Sequence, residues 1–143
     1  MSLIPESELS GFARLLGYRL ARWELDVAEV VLELGPQHLN RGGVAHGGVL
    51  AALMDTACGF AGCWSPPGES RAAVTLSLTT SFLAPAKSGR LTAIARKTGG
   101  GRGTFFAVAE IRDSEDTLIA HGDGVFRYRN SSNSPLRREP ARR

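Results

Sequence analysis

Apolar and polar residues recur along this chain in two rhythms, and the change of rhythm divides it. Near the start Leu9, Phe12, Ala13 and Leu16 fall at helical spacing. They predict a short amphipathic helix over Ser7–Tyr18, with Ser7 able to cap it and Gly17 closing it. Arg19–Leu34 carries two strand-like runs with Val27, Val30 and Val31 among their apolar residues, and Gly35-Pro36 ends them. His38–Ala45 is a polar, glycine-rich loop. Gly47–Trp64 is apolar on every side (Val49, Leu50, Leu53, Met54, Ala57, Phe60) and long enough for about four or five helical turns. A helix apolar all round has to be enclosed by protein. Ser65-Pro66-Pro67-Gly68 stops it. The rhythm then becomes two. In Arg71–Leu83, Val74, Leu76 and Leu78 alternate with Thr75, Ser77 and Thr79. Arg90–Lys97 alternates likewise, Gly99–Gly103 is a turn, and Thr104–Arg112 and Thr117–Arg129 complete an antiparallel meander. One apolar helix followed by antiparallel strands predicts an α+β layer fold, a curved sheet wrapped around the helix with a small helix at one end.

A chain of 143 residues fits one domain. We assign it to residues 1–130 and expect the basic tail, 131–143, to be disordered. Hydrophobic residues at 43% and charged residues at 22% exclude wholesale disorder. The net charge of +3 sits in the last nine residues, Pro135–Arg143, which hold four Arg and one Glu. The remainder has 13 charges of each sign, so the high pI does not signal a nucleic-acid partner. Met1–Glu6 has neither the basic nor the apolar region of a signal peptide, and none is expected. The longest apolar stretch, Val49–Trp64, contains Asp55 and falls short of the roughly 20 residues a membrane span needs. Cys58 and Cys63 on one helix would have Cα atoms about 8–9 Å apart, beyond the roughly 7 Å limit for a disulfide. They are expected to be reduced, buried thiols of a cytoplasmic protein.

Asp55 is the only charge in that apolar helix, and burying it without partners would cost several kcal/mol. It either caps a neighbouring chain end, bonds Thr56, or marks a site. The helix is preceded by Asn40-Arg41-Gly42-Gly43-Val44-Ala45-His46-Gly47-Gly48. A helix N-terminus presents unpaired N–H groups at the positive end of its dipole, and glycine lets a ligand, or another chain, come close. With Asp55, this reads as donors for a carbonyl oxygen plus a carboxylate to attack it or to activate water. Gly47 and Asp55 are separated by about 12 Å of helical rise and roughly 80° of rotation. A carbonyl under attack needs both within about 3–3.5 Å. One chain does not easily supply both, whereas two antiparallel copies of the helix can, which predicts a homodimer with two shared sites.

Other chemistries lack their signatures. There is no G-x-S-x-G elbow. His38, His46 and His121 have no metal-ligand spacing with each other or with the cysteines, so no metal is expected. Gly99–Gly103 lacks the Lys-Ser/Thr of a phosphate loop. Arg96, Lys97 and Arg102 beside that turn either meet nucleotide phosphates or are solvated strand ends.

The string Asn40-x5-His46-Gly47-Gly48-x6-Asp55 resembles the hotdog-fold acyl-CoA thioesterases of the phenylacetate-pathway (PaaI-type) branch. Val74–Gly89, with its Pro85-Ala86-Lys87 turn, and Leu118–Gly122 are similar to strands of the same family, so the resemblance covers about residues 10–130. It implies five or six strands around one long central helix, dimers that commonly pair into tetramers, and no cofactor, coenzyme A being part of the substrate. By the resemblance, Asp55 is the nucleophile or general base and the Gly47 N–H polarises the thioester carbonyl. Asn40 holds the thioester or the water, His46 braces the loop, and Thr75 supplies a hydroxyl near the water. Asp and Thr then come from one subunit, Asn and Gly from the other. Gly48 lies at the same backbone, and Arg96, Lys97, Arg102 or Lys87 is expected to meet the phosphates of coenzyme A. Phe60, Trp64 and Phe82 either line a pocket for an aryl or medium-chain acyl group or are plain core. Two rival readings are a hotdog dehydratase or hydratase using His46 with Asp55, and a non-catalytic acyl-CoA-binding module.

Overall fold

A computed structural model of the chain describes residues 3–129, so the tail expected at 131–143 lies outside the described residues. In chain order the elements are α1 (Gly11–Leu16), β1 (Arg19–Glu24), β2 (Val27–Leu34), α2 (Gly47–Cys63), β3 (Ala73–Phe82), β4 (Gly89–Gly100), β5 (Thr104–Arg112) and β6 (Leu118–Tyr128). Short 3₁₀ turns occupy Glu6–Glu8 and Pro36–His38. The strands form one antiparallel sheet of six in the order β1-β2-β4-β5-β6-β3. The predicted meander is β4-β5-β6, and the strand that precedes it in sequence, β3, lies beyond it at the far edge.

The first helix is shorter than its periodicity suggests. Ser10, not Ser7, caps it: the Ser10 hydroxyl accepts from the Ala13 N–H at 3.1 Å, so the helix begins three residues later than expected. Gly17 closes it at φ +84°, a conformation that favours glycine. Ala13 is buried, but Phe12 lies outside the core with its ring edge-on to Tyr18.

Helix α2 lies across one face of the sheet. Leu53, Met54, Ala57 and Cys58 have no solvent access, and small sheet residues such as Ala93, Ala95 and Ala107 allow close approach. At Gly62 the approach is tightest, because a Cβ there would collide with the Phe105 ring. Two of the carbonyls left open at the C-terminal end of α2 are taken by the sheet. Trp23 Nε1 donates to Phe60 O at 2.8 Å, and the Tyr128 hydroxyl donates to Gly62 O at 2.7 Å.

The sheet does not enclose α2 as the all-round apolar pattern predicts. Ala51, Ala52, Asp55, Thr56, Gly59 and Phe60 form a stripe of half-buried residues on the side away from the sheet. Edge strand β3 departs from expectation in a related way. Its alternation predicts one apolar face against the core, but Val74 and Leu76 are exposed, at 38% and 53%. A bulge between Thr75 and Ser77 shifts the register, so that Thr75 opposes Phe126 while Phe82 opposes Ala120. Thr75 and Phe82, seven residues apart, would face opposite sides of a regular strand. The bulge turns both toward α2.

Both cysteines are free and buried, and burial pushes the thiols up to about 12 for Cys58 and about 11 for Cys63. The two glycines of the last turns of α2 give a test of this packing. Gly62→Ala should lose about 1–3 kcal/mol to overpacking against Phe105. Gly59→Ala, whose Cβ would stand 3.8 Å from Phe126, should be neutral or gain up to about 1 kcal/mol from helix propensity. Chemical denaturation of the two variants beside the wild type measures the contrast, and equal effects would contradict the described approach.

Candidate active site

Asp55 projects from the third turn of α2 on the open stripe, and its partner is not Thr56. The Thr75 hydroxyl on β3 donates to Asp55 Oδ1 at 2.6 Å. The bond fixes the carboxylate and leaves Oδ2 without a partner among the described residues. The pair opens into a groove of about 290 Å³ lined also by Gly59, Phe60, Cys63, Arg71 and Phe126. The Cys63 thiol in its wall is held protonated by burial, against the opposing pull of Arg71 and Lys97, and does not compete as a nucleophile near neutral pH.

The second cluster lies at the N-terminal end of α2. His46 is the N-cap: its Nδ1 accepts from the Gly48 N–H at 2.8 Å, and its carbonyl accepts from Val49 and Leu50. Of the first four helical amides, only that of Gly47 has no partner among the described residues. It is therefore the free donor at the positive end of the dipole. The absence of a Cβ at Gly47 also admits the Phe82 ring, which a Cβ would meet at 3.2 Å. Asn40 folds the preceding loop with its Oδ1, which accepts from Gly42 at 2.8 Å and from Val44 at 3.3 Å. Its side-chain N–H groups remain available. Asn40, Gly47, Leu50, Phe82 and Leu83 line a separate groove of about 410 Å³.

The two grooves share no residue. Within one chain, Asp55 and Thr75 are brought together, Asn40, His46, Gly47 and Gly48 are brought together, and the two sets are held apart by the intervening helix. His46, committed to the N-cap, belongs to the second set and forms no acid–base pair with Asp55 of its own chain. Phe60 and Phe82 line one groove each, and Trp64 lines neither.

The four cations expected at coenzyme A are scattered. Lys87 follows Ala86, whose carbonyl accepts from Ala45 N–H at 2.7 Å, so it lies beside the Gly47 groove. Arg102 is in the hairpin at the opposite end of β4, which at its twelve residues is about 40 Å long. Arg96 is on the sheet face away from α2, in a groove with Ile94, Val108 and Glu110, and Lys97 stands 3.9 Å from Asp26.

His38, read from the sequence as part of a polar loop, is buried at 2% exposure. Its Nδ1 accepts from the Gly35 N–H at 2.9 Å and its Nε2–H donates to Leu16 O at 2.7 Å, while its own carbonyl accepts from the His46 N–H at 2.8 Å. It ties the end of α1 to the residue that caps α2. A histidine two positions before Asn40, after Pro36, was the only available signal.

Among the described residues no three His, Cys, Asp or Glu side chains come together as metal ligands, and no helix is long and apolar enough to cross a membrane.

Comparison with known proteins bears on this arrangement. Residues 42–120 match the family described as the Thioesterase superfamily. A Pseudomonas aeruginosa protein, PA0474, provisionally named an esterase, is 36% identical over 100 residues, which are 68% of this chain and 72% of that protein. The structure of the PaaI protein from the phenylacetic acid degradation operon of E. coli superposes with a TM-score of 0.77 at 27% identity, covering 87% of this chain and 88% of that one. Thioesterase HI1161 from Haemophilus influenzae superposes at 0.75 and 27% identity, covering 83% and 82%.

Replacing His38 by Leu strands the Gly35 N–H and the Leu16 carbonyl. It should cost about 2–4 kcal/mol in thermal or chemical denaturation, a loss that no surface histidine would produce. His121→Leu on the exposed sheet face is the control and should stay within about 0.5 kcal/mol.

Proposed function

The chain belongs to the thioesterase superfamily and has its hotdog fold, and on that premise we propose that it hydrolyses acyl-CoA thioesters to a free carboxylate and coenzyme A. The observation that carries this reading is the pairing of an oriented carboxylate, Asp55 held by Thr75, with a single unpaired helix amide, that of Gly47. These are the two groups a thioester carbonyl needs, one for its carbon or the attacking water and one for its oxygen. Thiolate is a good leaving group, so this chemistry calls for no metal or redox cofactor.

The site is shared by two copies in a homodimer. Three features support this: the open stripe of α2 carrying Asp55, the unpaired edge of β3 with Val74 and Leu76 exposed, and the separation of the two grooves within one chain. Asp55 and Thr75 of one copy then face Asn40 and Gly47 of the other. The apolar Phe106 and Val108 on the outer sheet face, 47% and 43% exposed, favour a further pairing of dimers. In each site the thioester carbonyl oxygen takes the Gly47 N–H. Asp55 either attacks the carbonyl carbon, forming a mixed anhydride that water then hydrolyses, or removes a proton from a water that attacks that carbon. The C–S bond breaks, the thiolate leaves, and the elements of one water end as carboxylate and thiol. Asn40 steadies the thioester or the water, and His46 keeps the Gly47 amide unpaired by occupying the next three. Lys87, beside the Gly47 groove, is the best placed of the four expected cations to meet a phosphate of coenzyme A. The free, buried thiols fit a protein working in the cytoplasm.

Thiol release from acetyl-, hexanoyl-, lauroyl-, benzoyl- and phenylacetyl-CoA tests the reaction. Asp55→Asn should lower kcat by about 10²-fold or more without altering the oligomer. Near-normal rates in that variant would remove Asp55 from the chemistry, and bound but unhydrolysed thioesters throughout would indicate a binding module.

Sharing of the site is tested separately by co-refolding Asp55→Asn with Asn40→Ala chains. Each mixed dimer has one site with both lesions and one with neither, so an equal mixture should recover about a quarter of wild-type activity. No recovery in confirmed mixed dimers would place each site within one chain.

A further inference from the structure

The groove beside Asp55 ends in a cation with no assigned role. We propose that this groove is the acyl pocket of the hydrolase described above, and that Arg71 at its far end selects acyl groups that terminate in an anion, a carboxylate above all. The inference rests on the hydrolase reading for its reaction and on the following geometry for its selectivity.

From Asp55 the groove runs along the next turns of α2, past Gly59 and Cys63, with Phe60 and Phe126 as apolar walls. Gly59 leaves it open, since even a Cβ there would only reach ordinary contact with Phe126. Arg71 is the only cation among the described residues that line the groove. Its guanidinium carbon lies 3.8 Å from the centre of the Tyr128 ring, and the Tyr128 hydroxyl is in turn fixed on Gly62 O. Stacking covers one face of the guanidinium and holds it in place, while its N–H edges stay free for a planar, two-toothed acceptor. Some basic residues of the sheet have acidic partners: Arg22 with Glu24 and Glu29, Arg90 with Glu33, Arg112 with Glu110. Among the described residues Arg71 has no such partner. A preorganised, unpaired cation beyond the apolar walls of Phe60 and Phe126, with the reacting pair Asp55–Thr75 at the other end, is matched by an acyl group that is apolar along its length and anionic at its tip. Arg71 precedes Thr75 by four residues of extended chain, about 13 Å, and its side chain turns back over Tyr128. That span accommodates a medium-length acyl chain or one ring with a terminal carboxylate.

The same chemistry would also hold a phosphate of coenzyme A, and the test separates the two sources. Hexanoyl and adipoyl groups have the same number of carbons and differ in the terminal carboxylate. Each is presented as the coenzyme A thioester and as the N-acetylcysteamine thioester, which has no phosphate. We expect wild type to favour adipoyl over hexanoyl in kcat/KM by about tenfold or more on both carriers, and Arg71→Gln to bring the ratio toward one. A ratio unchanged by Arg71→Gln overturns the proposal. So does a variant that slows both coenzyme A esters equally and spares both N-acetylcysteamine esters, which would put Arg71 on the nucleotide. If wild type releases thiol from no thioester, the hydrolase reading has failed, and calorimetric titration with free adipate and hexanoate decides the anion site by itself. Binding of adipate that is lost in Arg71→Gln supports it, and absent or equal binding overturns it.

Discussion

A helix of 17 residues made of apolar and small side chains has to be covered, and one sheet covers only the side that faces it. The rest of the molecule is arranged around that shortfall. Along the covered side, Leu53, Met54, Ala57 and Cys58 leave no solvent access, and an ionised carboxylate among them would cost several kcal/mol. The uncovered stripe is the one part of α2 that tolerates a charge. Asp55 lies on it, close enough to the sheet edge for the Thr75 hydroxyl to reach it and far enough from the core to keep one oxygen free. The remainder of the stripe is mostly small or apolar, Ala51, Ala52, Gly59 and Phe60, and the same surface that admits the charge is the one the proposed dimer covers. The candidate site and the proposed interface thus have a common origin in the composition of one helix.

Much of this was legible in the sequence because it depends on period. The apolar run of α2, the alternation of the strands and the glycine turn after β4 are local signals, and the elements lie within a few residues of where they were expected. Features that depend on which elements meet were not legible. Nothing in the alternation of β3 shows that it crosses to the far edge of the sheet, where Val74 and Leu76 lose their core. The bulge after Thr75 is equally silent, since an alternating string reads the same with or without one. Yet it alone allows Thr75 to hold Asp55 while Phe82, seven residues on, closes over Gly47. Ser10 outcompeted Ser7 as a cap because a cap is defined by the amide it reaches, and both serines stand before helical-looking runs.

The site residues divide in the same way. Asp55 and Gly47 stood out because each breaks a local expectation, a charge in an apolar helix and glycine where a helix begins. His38 and Arg71 break none. A histidine in a polar loop and an arginine before a strand are ordinary, and both acquire meaning from distant groups: Leu16 and His46 for the first, Tyr128 for the second. Conversely, Arg96, Lys97 and Arg102 look like a cluster because they are near in sequence. Strand alternation sends the first two to opposite faces, and the hairpin carries the third beyond both.

The helix dipole gives a reason for the split of the two half-sites along α2. Asp55 stands about 12 Å from its own N-terminus, beyond the one turn over which the terminal partial charge acts strongly. In one chain, therefore, the positive end of α2 has no anion and the carboxylate has no helix terminus. An antiparallel pairing of two such helices brings the N-terminus of each toward the middle of the other, so both deficits are met by one contact, and symmetry meets them twice. In the proposed dimer the same contact would set the Gly47 amide and the Asp55 carboxylate on either side of a reacting carbonyl. A helix that carried both groups within one turn would satisfy its carboxylate with its own amide and leave neither for a substrate. Eight residues of separation keep the two apart within one chain, as the proposed shared site requires.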